Sequence, residues 1–197
     1  AKQAVYRTAS RPMPADLGVS RVSLVAGSDR RDMVYESLKP FENEIRTGIE
    51  GRRVMIKINM VSERTPLCAT PPDAVRGVLD FLGPLHDGDV IIAESSASRL
   101  GTMQVFDIYG YTDIQREYGV RLVELNERPV SRHWILDKDL NPAPVRIIND
   151  FTDPGAYIIS VTRLKTHNRV LATLSCKNMT MGCPLKNWRT GENDKKL

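Results

Sequence analysis

Residues 156–186 read AYIISVTRLKTHNRVLATLSCKNMTMGCPLK, and this stretch decides the fold class. It opens on a run of β-branched and aromatic residues, Tyr157 to Val161, of the kind that fills a buried strand. The chain then turns polar within a few residues, at Lys165, Thr166, His167 and Asn168, and after a second apolar run it reaches Lys177 and Asn178. Reactive side chains just past a buried strand are the pattern of an open α/β sheet, whose ligands gather at the carboxyl ends of the strands.

Working outward, the same pattern recurs twice upstream. RVMIKINM at 53–60 reads as a strand with Val54, Ile56 and Ile58 on one face and Met55, Lys57 and Asn59 on the other. A lysine in so apolar a strand must lie at an edge, be paired, or face an anionic ligand, because an isolated buried ammonium is costly. Residues 90–93 form the next strand and end in Glu94, Ser95 and Ser96, while 120–125 form another. Between them, Thr70-Pro71-Pro72-Asp73 predicts a capped helix start followed by the stripe Val75, Val78, Leu79 and Leu82. Residues 102–118 read as one helix closed by Gly119. Residues 30–38 and 42–49 carry helical spacing interrupted at Pro40, and Val22, Leu24 and Ala26 alternate as a first strand would. Residues 126–154 hold shorter apolar runs that predict an antiparallel excursion. The expected fold is therefore α/β and Rossmann-like: a mainly parallel central sheet with flanking helices and an antiparallel edge excursion. A polar lead-in at 1–19 precedes one α/β domain over 20–197.

Composition narrows the function classes. With 197 residues, 41% hydrophobic and 26% charged, the chain can bury a sizeable core. The net charge of +4 slightly favours anionic ligands, but no basic block is interleaved with aromatics as single-strand nucleic-acid binders require. No apolar run approaches the roughly 20 residues of a membrane span. The chain begins at Ala1, which fits a trimmed methionine or a removed targeting segment. A cytoplasmic setting is favoured, with export after signal removal as the other option.

Cys68, Cys176 and Cys183 form no CxxC pair, so no complete iron–sulfur cluster is expected from this chain alone, and the plain expectation is reduced, mostly buried thiols. There is no P-loop, since Gly48-Ile49-Glu50-Gly51 lacks the GK[ST] ending, and no GxGxxG.

Taken together and in order, VMIKIN at 54–59, IIAESS at 91–96, RLKTH at 163–167 and SCKNMTMG at 175–182 resemble the family named only as domain of unknown function 362. The resemblance covers roughly residues 20–190. Many members carry an added ferredoxin-type domain and are described as iron–sulfur-centre proteins. It therefore implies a redox association, with a ferredoxin-like partner or a further C-terminal portion supplying what this stretch lacks.

The candidate residues divide by chemistry. His167, Glu94 and Lys165 are the catalytic candidates, the first two moving protons. Lys57, Asn59, Lys177 and Asn178 are the groups to hold an anionic substrate or cofactor. Lys165 and His167 fall on one face if strand geometry persists, which suits a phosphate or a metal. The structural alternatives are a plain Lys57–Glu94 ion pair, a polar strand-to-loop turn at Lys177-Asn178, and a solvated face at Lys186 and Arg189. His86 and His133 are isolated and read as surface or core histidines. Two function classes stay open: a redox-linked enzyme with a Lys/His/Glu pocket, and a non-catalytic subunit or scaffold, which allows a homo-oligomer.

Overall fold

The first helices form where the sequence places them. In the computed structural model, which describes residues 20–167, 172–187 and 190–196, α1 (Arg30–Leu38) and α2 (Glu42–Ile49) are separated by a single 3-10 turn, Lys39–Phe41, centred on Pro40. The Asp29 side chain caps α1 by accepting from the Asp32 amide at 3.0 Å. The lead-in at 1–19, Asn168 and Arg189 lie outside the described residues.

Four parallel strands follow: β1 (Arg53–Lys57), β2 (Val90–Glu94), β3 (Arg121–Glu124) and, after an excursion, β6 (Ala156–Ser160). Their order across the sheet is β3-β2-β1-β6, with Lys57 opposite Ala93 on one side and Ser160 on the other. The α/β fold with a parallel central sheet is thus as expected. Between β1 and β2 runs α3 (Pro72–Leu82), whose Val75, Val78, Leu79 and Leu82 are all buried. Between β2 and β3 run α4 (Thr102–Ile108) and α5 (Tyr111–Tyr118).

Alternation along β1 divides the core. Val54, Ile56 and Ile58 pack with the helices, in a cluster that includes Ile45, Ile49, Val75 and Ile114. Met55 packs in a second cluster with Ile91, Ala93, Leu125 and Ile148. The antiparallel excursion is a hairpin, β4 (Val130–Leu136) with β5 (Pro142–Ile148), paired as its own two-stranded sheet. Ile148 at its end contributes to the second cluster.

Four local expectations need correction. Residues 20–27 form no strand among the described residues, and Val22 and Leu24 are exposed. Alternation predicts an extended chain, but a strand needs a neighbouring backbone. The helix expected over 102–118 breaks at Gly110, whose φ of 75° is left-handed and ends α4. That break lets Tyr111, fully buried, donate to the Thr70 carbonyl at 2.9 Å. Thr70 does not cap α3: its hydroxyl accepts from the Asn59 amide at 3.0 Å and donates to the Val161 carbonyl at 2.7 Å, tying the ends of β1 and β6 together. Lastly, SCKNMTMG is not a strand-to-loop turn but a helix, α6 (Ser175–Gly182).

Candidate functional site

The strand order creates the site. From β1 the chain steps outward through β2 to β3, then returns to the other edge of β1 as β6, so the direction of winding reverses between β1 and β6. In open parallel sheets a crevice opens at such a reversal, outside the carboxyl ends of the strands. Lys57 and Ser160 are the last residues of those two strands and stand in register.

α6 is set over this crevice. Its Asn178 side chain, buried, donates to the Ser160 hydroxyl at 3.0 Å and to the Lys57 carbonyl at 3.3 Å. Its amide oxygen accepts from Lys57 Nζ at 3.2 Å and from Asn59 Nδ2 at 3.1 Å. Gly182, the last residue of the helix, passes so near that a Cβ there would lie 2.9 Å from Lys57 Cε. Glycine is what allows the approach.

Lys57 is fully buried and paired: its ammonium donates to Glu94 Oε1 at 2.8 Å and to the Ile58 carbonyl at 2.6 Å. Glu94 also accepts from the Ser95 amide at 2.7 Å and, through Oε2, from the Met60 amide at 2.8 Å, so both of its oxygens are occupied. Three charge-assisted bonds of this kind satisfy the acceptors of a buried carboxylate.

On one flank of this pair, Lys165 begins a short ribbon, β7 (Lys165–Thr166) against β8 (Ala172–Thr173). Its ammonium donates to Asn59 Oδ1 and, at 2.5 Å, to the Cys68 carbonyl. Half-buried, it is easier to deprotonate than an ordinary lysine, because burial disfavours its charge and Lys177 and Arg163 repel it. A polar chain therefore runs Glu94–Lys57–Asn178–Asn59–Lys165. His167, partly buried just beyond β7, is not among the described residues that line the cavity below.

On the other flank lies Lys195, which the sequence reading did not single out. After α6 the chain runs along the hairpin, with the Leu185 amide donating to the Arg146 carbonyl at 2.9 Å. It then turns through β9 (Lys186–Asn187) and β10 (Glu192–Asn193). Arg146 grips Asp194 through Nη2 at 2.6 Å and through its own amide at 2.7 Å. That grip delivers the next residue to the site, where Lys195 Nζ reaches the Ser95 hydroxyl at 3.3 Å and carbonyl at 3.4 Å. Burial pushes this ammonium down to about 8; Lys57 and Lys186 add to the push, and Glu94 opposes it. Nothing in the polar run Gly191 to Lys196 announces a buried amine.

These groups enclose a cavity of about 140 Å³, lined among others by Lys57, Glu94, Ser95, Thr173, Lys177 and Lys195. Thr173 is 2% exposed, and its hydroxyl has no partner among the described residues. The thiols stand apart from expectation: Cys176 is exposed, and Cys68 and Cys183 are only partly buried. Among the described residues, no three His, Cys, Asp or Glu side chains gather where they could hold a metal.

Fold and site together define an α/β protein with a parallel four-stranded sheet and a lysine-rich crevice where the strand order reverses. The chain belongs to the family described as Domain of unknown function (DUF362), whose model matches residues 54–194, from the strand that carries Lys57 to the residue before Lys195. Neither the curated proteins nor the solved structures yield a match. No helix among the described residues is long and apolar enough to cross a membrane.

Proposed function

We propose that this crevice binds a small anionic molecule in the cavity between Lys57, Lys177, Lys195 and Thr173. The observation that carries the reading is an imbalance of charge. Three ammonium groups line the cavity against one carboxylate, and Glu94 already has both oxygens engaged. Among the described residues, no carboxylate lies within salt-bridge distance of Lys177 or Lys195. A carboxylate or phosphate would neutralise that surplus and accept from the unpartnered Thr173 hydroxyl.

In this reading Glu94 is the fixed counter-charge of Lys57, not a proton carrier, and Lys165 with Asn59 positions Asn178 from behind. The proton-moving role considered for His167 fits less well, since that residue stands outside the cavity lining.

Thermal unfolding in the presence of inorganic phosphate, sulfate and pyruvate tests the proposal. At least one should stabilise the protein, by about 2.7 kcal/mol when present at about 100 times its dissociation constant. Replacing Lys177 and Lys195 together by Met should remove the effect. An unchanged shift in the double variant would place the anion elsewhere and overturn the reading.

A further inference from the structure

We infer that Lys195 is a carbonyl-condensing amine, so that the anion taken by the cavity is a small oxo acid whose carbonyl carbon forms an imine with Lys195 Nζ. The inference rests on the anion-binding reading and adds to it a substrate class and a reacting atom.

The lysines of the cavity differ in how their nitrogens are used. Lys57 Nζ has three acceptors, at 2.6, 2.8 and 3.2 Å, and has no lone pair to offer while it pairs with Glu94. Lys177 sits partly exposed on α6, at the rim. Among the described residues, Lys195 makes two long contacts to a single residue, Ser95, and no ion pair. Its neighbours are Lys57 from β1, Glu94 from β2, Lys186 from β9 and Cys183 just past α6. An amine drawn out of water beside other cations keeps a neutral, nucleophilic fraction near neutral pH, and this is how lysine nucleophiles are activated in general.

The second, independent observation is Thr173. The residue is part of the cavity lining, and its buried hydroxyl has no partner among the described residues. A donor is needed there once an amine adds to a carbonyl, because the carbonyl oxygen gains charge as the C–N bond forms. Lys177, which has no carboxylate partner among the described residues, is then left to hold the carboxylate of the same molecule. One anionic group and one carbonyl, close together in a cavity of about 140 Å³, describe a short oxo acid.

The step balances without an external oxidant or reductant. Neutral Nζ adds to the carbonyl carbon, nitrogen loses a proton and the carbonyl oxygen gains one. The resulting hydroxyl departs with a second proton as water, and the C=N bond remains.

The test is reductive trapping with pyruvate or glyoxylate as probe and cyanoborohydride as hydride donor, followed by peptide mapping of the wild-type protein. The adduct should map to Lys195 at about tenfold or more over any other lysine, and should form faster as pH rises through about 8. Lys195→Arg should lose the adduct yet retain stabilisation by sulfate, since the charge is kept. Adducts spread over many lysines, or none at all with sulfate stabilisation intact, would overturn this inference and leave the anion site standing. Absence of any anion stabilisation in the wild-type protein would sink both. Mapping on the wild-type chain decides the matter whether or not the variant folds.

Discussion

Strand β1 begins and ends in a charge cluster, and the two differ in their arithmetic. Arg53, Met55 and Lys57 share one face of the strand, so the five-residue strand carries a guanidinium at its start, a core methionine in its middle and an ammonium at its end. At the start, Arg53 and Arg128 both pair with buried Asp150, at 3.0 and 3.1 Å, and Arg53 also meets Asp153 at 3.1 Å. That is two cations against two anions. At the end, Lys57, Lys177 and Lys195 surround Glu94 alone. A balanced cluster supports a fold; an unbalanced one in a cavity has a place for a ligand's charge.

The largest effect should come from removing the buried acid at each end. Glu94→Ala leaves the fully buried Lys57 without its counter-charge and should cost about 3–5 kcal/mol in urea denaturation. Asp150→Ala should cost less, because Arg128 is 42% exposed and water can take the place of the carboxylate. Equal losses would mean that Lys57 is better hydrated than the structure has it.

Next comes the sharpest contrast. Truncating a cation in the balanced cluster, as in Arg53→Met, should destabilise, whereas Lys195→Met should stabilise. The folded protein holds the Lys195 ammonium at about 8 against an ordinary value of 10.5, so keeping it charged costs up to roughly 3 kcal/mol at neutral pH. The sign follows from proton counts: between about pH 8 and 10.5 the unfolded chain binds the proton and the folded one does not, so wild-type stability from this group rises with pH across that window. The advantage of Lys195→Met should therefore be full below pH 8 and fade by about 10.5. Calorimetry at several pH values would reveal it, and a loss of stability on the substitution would show that the amine is satisfied as it stands.

A smaller effect is expected at Gly182. An added methyl 2.9 Å from Lys57 Cε must displace an ammonium already held by three acceptors, so Gly182→Ala should cost about 1–3 kcal/mol. The smallest belongs to Lys165→Ala, which removes a half-buried charge that burial already disfavours. Stability should change by less than about 1 kcal/mol while anion affinity falls, because Asn59 loses the donor that orients it. A large loss of stability with affinity intact would make Lys165 purely structural.

Much of this molecule could be read along the chain, because its signals are local. Pro40 cannot continue a helix, so α1 and α2 part there; Val75, Val78, Leu79 and Leu82 recur at helical spacing, so α3 docks by that face. The four parallel strands announce themselves as apolar runs, and Lys57, Glu94 and Lys165 stand out as charges at or just past the ends of such runs. The other features depended on partners far away in sequence. Alternation at Val22 and Leu24 could not supply a neighbouring strand, and the Thr70 hydroxyl, suited to a helix cap, found Val161 instead. Cys176 and Asn178 sit on a helix laid across the crevice, where sequence suggested a turn. Lys195 lies in a run that looks wholly solvated, and the grip of Arg146 on Asp194, 48 residues apart, helps carry it into the cavity. Local sequence determines periodicity and therefore elements, but the charge balance of a buried site is a sum over residues that only the folded chain brings within a few ångströms.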